Sequence, residues 1–284
     1  MPERPALPVA SDGSDALQVA VRVAQAAGAE IERRLPDTIG AGAKERLGLT
    51  TKGGWNDRVT EVDKAAEDAA LAVLTAAFPD HEIVGEESGS HGGDSPYRWY
   101  IDPIDGTRNF ASGLPHICVS VGLWGHGEPL VGVLLDPIRQ ETFTAAAGLG
   151  AALNGTPVTV SDESSMEESL LGFDIGYKGP EGKLLLAAVA ELWPGFQSVR
   201  MMGSAALGIT YAGCGRLELY AHHYVQPWDI AAAIVVVREA GGVATELNGG
   251  PLTPESRSIA AGAPRIHERF LAATAGSLWR ASAS

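Results

Sequence analysis

The chain predicts a layered α/β or α+β sandwich. Three observations carry that reading. Helical and strand periodicities are interleaved along the whole length. They come in runs, without the strict strand–helix alternation of a clean dinucleotide-binding unit. Hydrophobic residues make up 45% of 284, enough for one large domain or two lobes sharing a core. No repeat of fixed period and no low-complexity block interrupts it.

Residues 1–13 read as a flexible leader, polar and proline-bearing, with no apolar core of a signal peptide. Ser14 can cap a first helix whose Leu17, Ala20, Val21, Ala24, Ala27, Ile31 and Leu35 share one face. Pro36 to Arg58 holds five glycines and little periodicity, and reads as a long, functional loop. A second helix starts near Thr60, with Asp63 completing a capping box and Val62, Ala66, Ala69 and Val73 as its buried face. It stops before Phe78-Pro79-Asp80.

The period then changes to that of strands. Glu82–Gly85 ends at Glu86, and Arg98–Asp102 ends in acid. Ile117–Leu123 and Leu130–Leu135 are joined by a Gly- and Pro-containing turn, Glu141–Ala146 adds a third neighbour, and Asn154-Gly155 signals a tight turn. Ser169–Phe173, Ser198–Met201 and Leu217–Tyr220 are further strands. Lys183–Leu192 and Ser204–Ala212 are helices. Pro227 opens a helix to Ala240, stopped by Gly241-Gly242, and a last helix covers about Ile266–Ala275 with Gly276 as its stop.

Charge and cysteine usage restrict the function. The 21 basic and 35 acidic residues leave a net charge of −14, which repels a polyanion, so no nucleic-acid partner is expected. Only Cys118 and Cys214 are present, in apolar company, which fits a reducing cytoplasm and excludes a disulfide-stapled fold. The longest apolar run near the end, Ile230–Val237, is far too short to cross a bilayer, so no membrane association is expected.

Three acidic strings stand at the ends of regular elements: Glu86-Glu87-Ser88, Asp102-Pro103-Ile104-Asp105-Gly106-Thr107 and Trp228-Asp229. Carboxylate and carbonyl oxygens suit a hard cation such as Mg²⁺. The fixed φ of Pro103 lets both aspartates and the Ile104 carbonyl face one point. Gly106 turns the backbone closely, and a helix from Thr107 offers N–H groups to a phosphate. Taken singly, each string has a plainer reading: a surface turn, a solvated strand end, and an N-cap beside a buried tryptophan. No Walker loop, G-x-S-x-G or Cys/His zinc spacing offers a competing chemistry.

WYIDPIDGTRNF (Trp99–Phe110) and PWDIAAAIVVVREAGG (Pro227–Gly242) resemble the two signatures of the inositol monophosphatase family, within the superfamily that includes fructose-1,6-bisphosphatase. DRVTEVD (Asp57–Asp63), VGEES (Val84–Ser88), GVLLDP (Gly132–Pro137), GAALNG (Gly150–Gly155) and GSAA (Gly203–Ala206) follow the family's order and spacing. The resemblance covers nearly the whole chain from about Ala16. It implies an alternating α-β-α-β-α sandwich of the sugar-phosphatase type, with a metal- and phosphate-binding lobe over about 14–150 and a substrate lobe over about 151–284.

The resemblance also implies roles. Glu86, Asp102, the Ile104 carbonyl, Asp105 and Asp229 bind two or three Mg²⁺ ions, with Asp57 helping at a weaker site. Thr107, oriented by Asp63, activates the attacking water along with Glu86. Gly106 and Thr107 offer N–H groups to the phosphate, and Lys52 lies near it. Gly203, Ser204 and Ala205 line the alcohol, with Arg200 just before them. His222 departs from the pattern, standing where family members acting on inositol phosphates often carry a glutamate. The activity implied is Mg²⁺-dependent hydrolysis of a small polyol or sugar phosphate, by default myo-inositol monophosphate, in a homodimer. Fructose 1,6-bisphosphate, histidinol phosphate and 3′-phosphoadenosine 5′-phosphate are the alternative substrates, in that order. A catalytically silent regulatory protein on the same fold is the alternative of another class. The complete ligand set argues against it.

Overall fold

The computed structural model describes residues 6–52, 58–176 and 179–277. Along the chain the elements are α1 (Ala16–Arg34), α2 (Ala43–Arg46), β1 (Thr50–Thr51), β2 (Arg58–Val59), α3 (Glu61–Ala77), β3 (Glu82–Gly85), β4 (Gly89–His91), β5 (Tyr97–Asp105), α4 (Thr107–Ala111), β6 (Cys118–Gly125), β7 (Glu128–Asp136), β8 (Glu141–Ala146), β9 (Gly150–Leu153) and β10 (Thr156–Val158). Then come β11 (Leu170–Asp174), α5 (Gly179–Leu192), β12 (Ser198–Met201), α6 (Ala205–Gly213), β13 (Leu219–His222), α7 (Pro227–Glu239), β14 (Val243–Thr245), β15 (Ile259–Gly262) and α8 (Pro264–Ala273).

Two sheets organise them. The larger has eight strands in the order β10-β9-β8-β7-β6-β5-β3-β4, antiparallel except where β3 lies parallel to β5. The smaller has five in the order β12-β11-β13-β15-β14, with β11 parallel to both β12 and β13. Helices α1 and α3 pack together on the outer face of the large sheet. Helices α6 and α7 fill the space between the sheets, and α5 and α8 cover the far face of the small one. The result is the α-β-α-β-α sandwich that the motifs imply.

Close approach in the middle layer places the site. A Cβ at Gly132 would lie 2.1 Å from the Ala232 carbonyl oxygen, and one at Gly122 would lie 2.7 Å from the Ala231 backbone. Two glycines on neighbouring strands thus let α7 sit directly on β6 and β7. Trp124 Nε1 donates to the Ala231 carbonyl at 3.2 Å, and Ser120 Oγ to that of Trp228 at 3.0 Å. Ile230 through Val237 are all buried. A helix enclosed on every side has no polar stripe, and each such Ile or Val stabilises by roughly 1.5–3 kcal/mol. The N-terminus of α7, carrying Asp229, is thereby held over the end of β5.

Several expectations shift. Asp15, not Ser14, caps α1, accepting from Gln18 N at 2.8 Å while Gln18 Oε1 accepts from Asp15 N. The end of the leader is anchored: Ala10 is buried, and Ser11 N donates to the Ala77 carbonyl. The buried stripe of α3 runs through Val62, Ala66, Ala70 and Leu74, leaving Ala69 and Val73 half-buried. The 36–58 stretch contains α2 and β1, the latter paired with β2. There the Arg46 guanidinium donates to the Ala41, Asp37 and Ile39 carbonyls and ties the chain down. β5 continues past Asp102 to Asp105 with an irregular register against β6. β13 begins and ends two residues later than expected, so His222 belongs to the strand.

Candidate active site

Asp102 and Asp105 leave the irregular end of β5 together. Asp102 Oδ1 accepts from Ile104 N at 3.0 Å, which tightens the turn between them. Gly106 follows at φ +97°, where a Cβ would lie 3.1 Å from both the Gly203 and His116 carbonyl oxygens. Only glycine passes that point without strain, and α4 then begins at Thr107. Oxygens of Asp102, Asp105 and Asp229 come within 4.8 Å of one another.

Each aspartate also has a structural tie. Asp105 receives the Ser204 hydroxyl and the N–H groups of Ala205 at 3.1 Å and Ala206 at 2.8 Å, and so caps α6. Asp229 Oδ2 accepts from Gln226 N at 2.7 Å, part of the α7 capping box. Burial lifts all three above the ordinary carboxylate range. For Asp102 the neighbouring Glu86, Asp105 and Asp229 charges add to it, and for Asp229 the charge of Asp105 does. Donors from α6 oppose the rise at Asp105.

A second group lies behind these. Asp63, in the first turn of α3, is fully buried. Its Oδ2 accepts from Thr60 N at 2.8 Å and Thr60 Oγ1 at 2.5 Å, and its Oδ1 from Thr107 Oγ1 at 2.9 Å. The Ile104 carbonyl also lies 3.1 Å from Thr107 Oγ1. Burial raises Asp63, and these donors oppose it. Glu86 lies beside Asp102, and Lys52 Nζ reaches Glu86 Oε1 at 2.8 Å and also contacts Glu87. Burial would lower Lys52, but the two carboxylates carry it above its ordinary value. Burial pushes Glu87 up to about 7.

Of these groups Asp105, Thr107 and Asp229 line a cavity of about 220 Å³, together with Gly106, Gly203, Ser204 and Ala205, while Asp102 and Asp63 stand behind them. Its other wall comes from the small sheet. There Asp174 and His222 end the paired strands β11 and β13 side by side. Asp174 accepts from Gly203 N at 2.6 Å and from Tyr220 Oη at 2.9 Å, and burial lifts it to about 7. His222 Nδ1 accepts from Tyr224 N at 2.9 Å. Burial pushes the ring down to about 3, so it is neutral with its proton on Nε2.

Two motif residues fall elsewhere. Arg200 is exposed on edge strand β12, where its guanidinium bonds Ser198 Oγ and the Val199 carbonyl. It does not line the cavity, but its neighbour Met201 does, because successive strand residues face opposite sides. Asp57 lies outside the described residues. Three residues at or behind the site were not singled out from the sequence: Glu67, Asn109 and Asp174. Asn109 Nδ2 donates to the His116 and Met202 carbonyls, and a Cβ on Gly203 would meet it at 2.8 Å. Of the three, Glu67 had a signal, standing one helical turn after Asp63.

A layered sandwich with buried carboxylates converging on a polar cavity, and helix-start N–H groups facing them, is the architecture of a phosphoric monoester hydrolase. Comparison with known proteins sharpens this. The inositol monophosphatase family model matches residues 12–280, and the chain belongs to that family. It is 40% identical over 260 residues to the Nus factor SuhB of Pasteurella multocida, covering 90% of this chain and 94% of that one. It is 39% identical over 273 residues to the inositol-1-monophosphatase of Synechocystis, covering 93% and 90%. The crystal structure of the extragenic suppressor protein SuhB from Bartonella henselae superposes with a TM-score of 0.86 at 31% identity, covering 92% of this chain and 99% of that one.

Proposed function

We propose that this enzyme hydrolyses a small polyol or sugar phosphate in a Mg²⁺-dependent reaction, with myo-inositol monophosphate as the default substrate. One observation carries the reading: three aspartates whose oxygens share a 4.8 Å neighbourhood beside a cavity of about 220 Å³. Unscreened, these carboxylates repel one another and repel a phosphate dianion. Oxygen donors without Cys or His suit a hard divalent cation, so the residues fit Mg²⁺. Asp102, Asp105, Asp229, Glu86 and the Ile104 carbonyl would hold it, with Asp57 reserved for a further, weaker ion. Bound Mg²⁺ supplies Lewis-acid neutralisation of the phosphate and of the departing alkoxide.

The chain's own groups do the rest. The Thr107 hydroxyl donates its hydrogen bond to Asp63 Oδ1. Its oxygen lone pairs then face the cavity as acceptors, and a water donating to Thr107 Oγ1 and to the Glu86 carboxylate is aimed at phosphorus. The N–H groups at the start of α4, on Gly106 and Thr107, lie outside that helix's own ladder and can receive phosphate oxygens. Lys52, joined to Glu86, adds positive charge on the same side. Gly203, Ser204, Ala205 and His222 border the alcohol end. Since Tyr224 N–H occupies Nδ1, His222 offers the substrate a single neutral donor.

The proposal extends to a homodimer in a reducing cytoplasm acting on a small molecule. The two free cysteines fit the reducing compartment and the net charge of −14 fits a small-molecule substrate over a polyanion, while the homodimer follows from family resemblance alone. A phosphate-release panel with and without Mg²⁺ tests the chemistry. It should include inositol monophosphate, fructose 1,6-bisphosphate, histidinol phosphate and 3′-phosphoadenosine 5′-phosphate. Release should need Mg²⁺ and vanish with chelator. Undiminished release in excess EDTA would overturn the metal assignment. Mg²⁺ binding without turnover of any ester would favour the silent regulatory protein.

A further inference from the structure

Helix α3 carries two buried carboxylates one turn apart, Asp63 and Glu67. Asp63 holds Thr107. Glu67 has no part in the chemistry above, does not line the cavity, and makes none of the ion pairs found among the described residues. Yet it is only 1% exposed. A carboxylate so placed is costly unless strong donors satisfy it.

Its partners are two consecutive backbone groups. Glu67 Oε2 accepts from Glu87 N at 2.9 Å, and Oε1 from Ser88 N at 2.7 Å. Both N–H groups belong to the turn that follows Glu86 at the end of β3. On the other side of Glu86, Gly85 backs onto the same carboxylate. A Cβ there would lie 2.6 Å from Glu67 Cδ and 2.7 Å from either oxygen. One buried side chain therefore grips the backbone on both sides of Glu86. The Glu86 amide is fixed too, donating to the Ile101 carbonyl at 3.1 Å.

We propose that Glu67 is a positioning residue for the cation site: it sets the Gly85–Ser88 turn from which the Glu86 carboxylate reaches the metal. Helix α3 is then a common mould. Its carboxylates at i and i+4 face the same way, and each fastens one of the turns that carry site groups. The inference rests on the reading of Glu86 as a cation ligand.

Glu67→Gln and Gly85→Ala test it. The amide keeps the shape but can accept only one of the two N–H groups. Alanine keeps the charge of Glu67 but pushes its carboxylate off the turn. Mg²⁺ binding by the full chain is measured by titration calorimetry, beside activity against Mg²⁺ concentration and the melting temperature in chelator. Each variant should raise the Mg²⁺ concentration for half-saturation by at least ~10-fold, while kcat at saturating Mg²⁺ stays within ~3-fold. The double variant should be no worse than the poorer single one, because both act through one contact. Should Glu67→Gln fail to fold, Gly85→Ala alone decides. A lowered melting temperature with an unchanged Mg²⁺ midpoint would overturn the inference and leave Glu67 a structural residue. Absence of Mg²⁺ binding by the unaltered protein would instead overturn the cation reading itself, and this inference with it.

Discussion

The two walls of the cavity are built by different means. One wall, at the end of β5 and the start of α7, presents the carboxyl groups of Asp105 and Asp229 beside Thr107, and both aspartates are also tied into the fold: Asp105 caps α6 and Asp229 belongs to the α7 capping box. The small-sheet wall, Asp174 and His222, consists of strand-end groups whose bonding capacity is largely spent on nearby backbone and on Tyr220. A wall of clustered charge with built-in caps can change little without losing the reaction. A wall of quiet, satisfied groups can change its alcohol partner without touching the phosphorus chemistry. On the proposed reading, rate would belong to the first wall and selectivity to the second, and the variants below test that division.

The largest break comes from the charged wall. Asp229→Asn and Asp105→Asn should each lower kcat by at least ~100-fold at saturating Mg²⁺. The protein should stay folded, because the asparagine carbonyl can still accept a capping N–H from Gln226 or from α6. Metal-free stability should hold or rise as like charges leave the cluster. Near-normal turnover in either variant would remove that residue from the metal site.

The second break uses Asp174 and its pKa. Its folded value of about 7 lies above the unfolded carboxylate value. The native state therefore holds this proton more tightly than the unfolded chain. The stability so contributed is complete below the unfolded value and is lost as pH rises through about 7. Asp174→Asn removes that dependence while keeping an acceptor for Gly203 N and offering a donor to Tyr220 Oη. Its melting temperature relative to the unaltered protein should climb by several degrees between about pH 5 and about pH 8 in chelator. A constant difference across that range would mean that Asp174 is ionised throughout, so that this wall carries its charge well below pH 7 as well.

How much of this was legible follows the same division. Asp102, Asp105 and Asp229 could be read because they sit in strings whose glycine, proline and threonine neighbours are needed for the turn itself. Helix α7 was legible from Pro227 and the closing glycines. His222 could be aligned but not understood: its role depends on β13 running two residues further and pairing with Asp174. Asp174 ends an ordinary apolar strand, and nothing local marks it. Strands β14 and β15 escaped notice because alanine- and glycine-rich segments such as Ile259–Gly262 carry little strand propensity; tertiary pairing makes them strands. The one-residue drift on α3, Leu74 in place of Val73, reflects a helix whose hydrophobic side is nearly continuous alanine.

A subtler change should sharpen the contrast on the selective wall. His222→Glu replaces a neutral donor with an anionic acceptor at the cavity wall. It should improve kcat/KM for inositol monophosphate relative to other phosphate esters by ~1–2 kcal/mol, or roughly 5–30-fold. Dependence on Mg²⁺ concentration should not move, since His222 is no ligand. An unchanged ranking among three esters would mean the ring packs against its neighbours and does not meet the alcohol.

The smallest expected effect is at Arg200, and it tests where the selective wall ends. Met201 lines the cavity, and the pleat of β12 turns Arg200 the other way. The guanidinium folds back on its own strand, 2.6 Å from Ser198 Oγ and 2.9 Å from the Val199 carbonyl, in an exposed position where such bonds contribute little. Arg200→Ala should leave kcat/KM for every ester within about twofold. Met201→Ala, one residue on, should shift KM for the bulkier esters, because it removes apolar surface from the cavity lip. If Arg200→Ala instead cost tenfold or more for one ester and not for others, the guanidinium would have to swing across the strand to meet that substrate. The wall would then extend past Met201 along the edge of the small sheet.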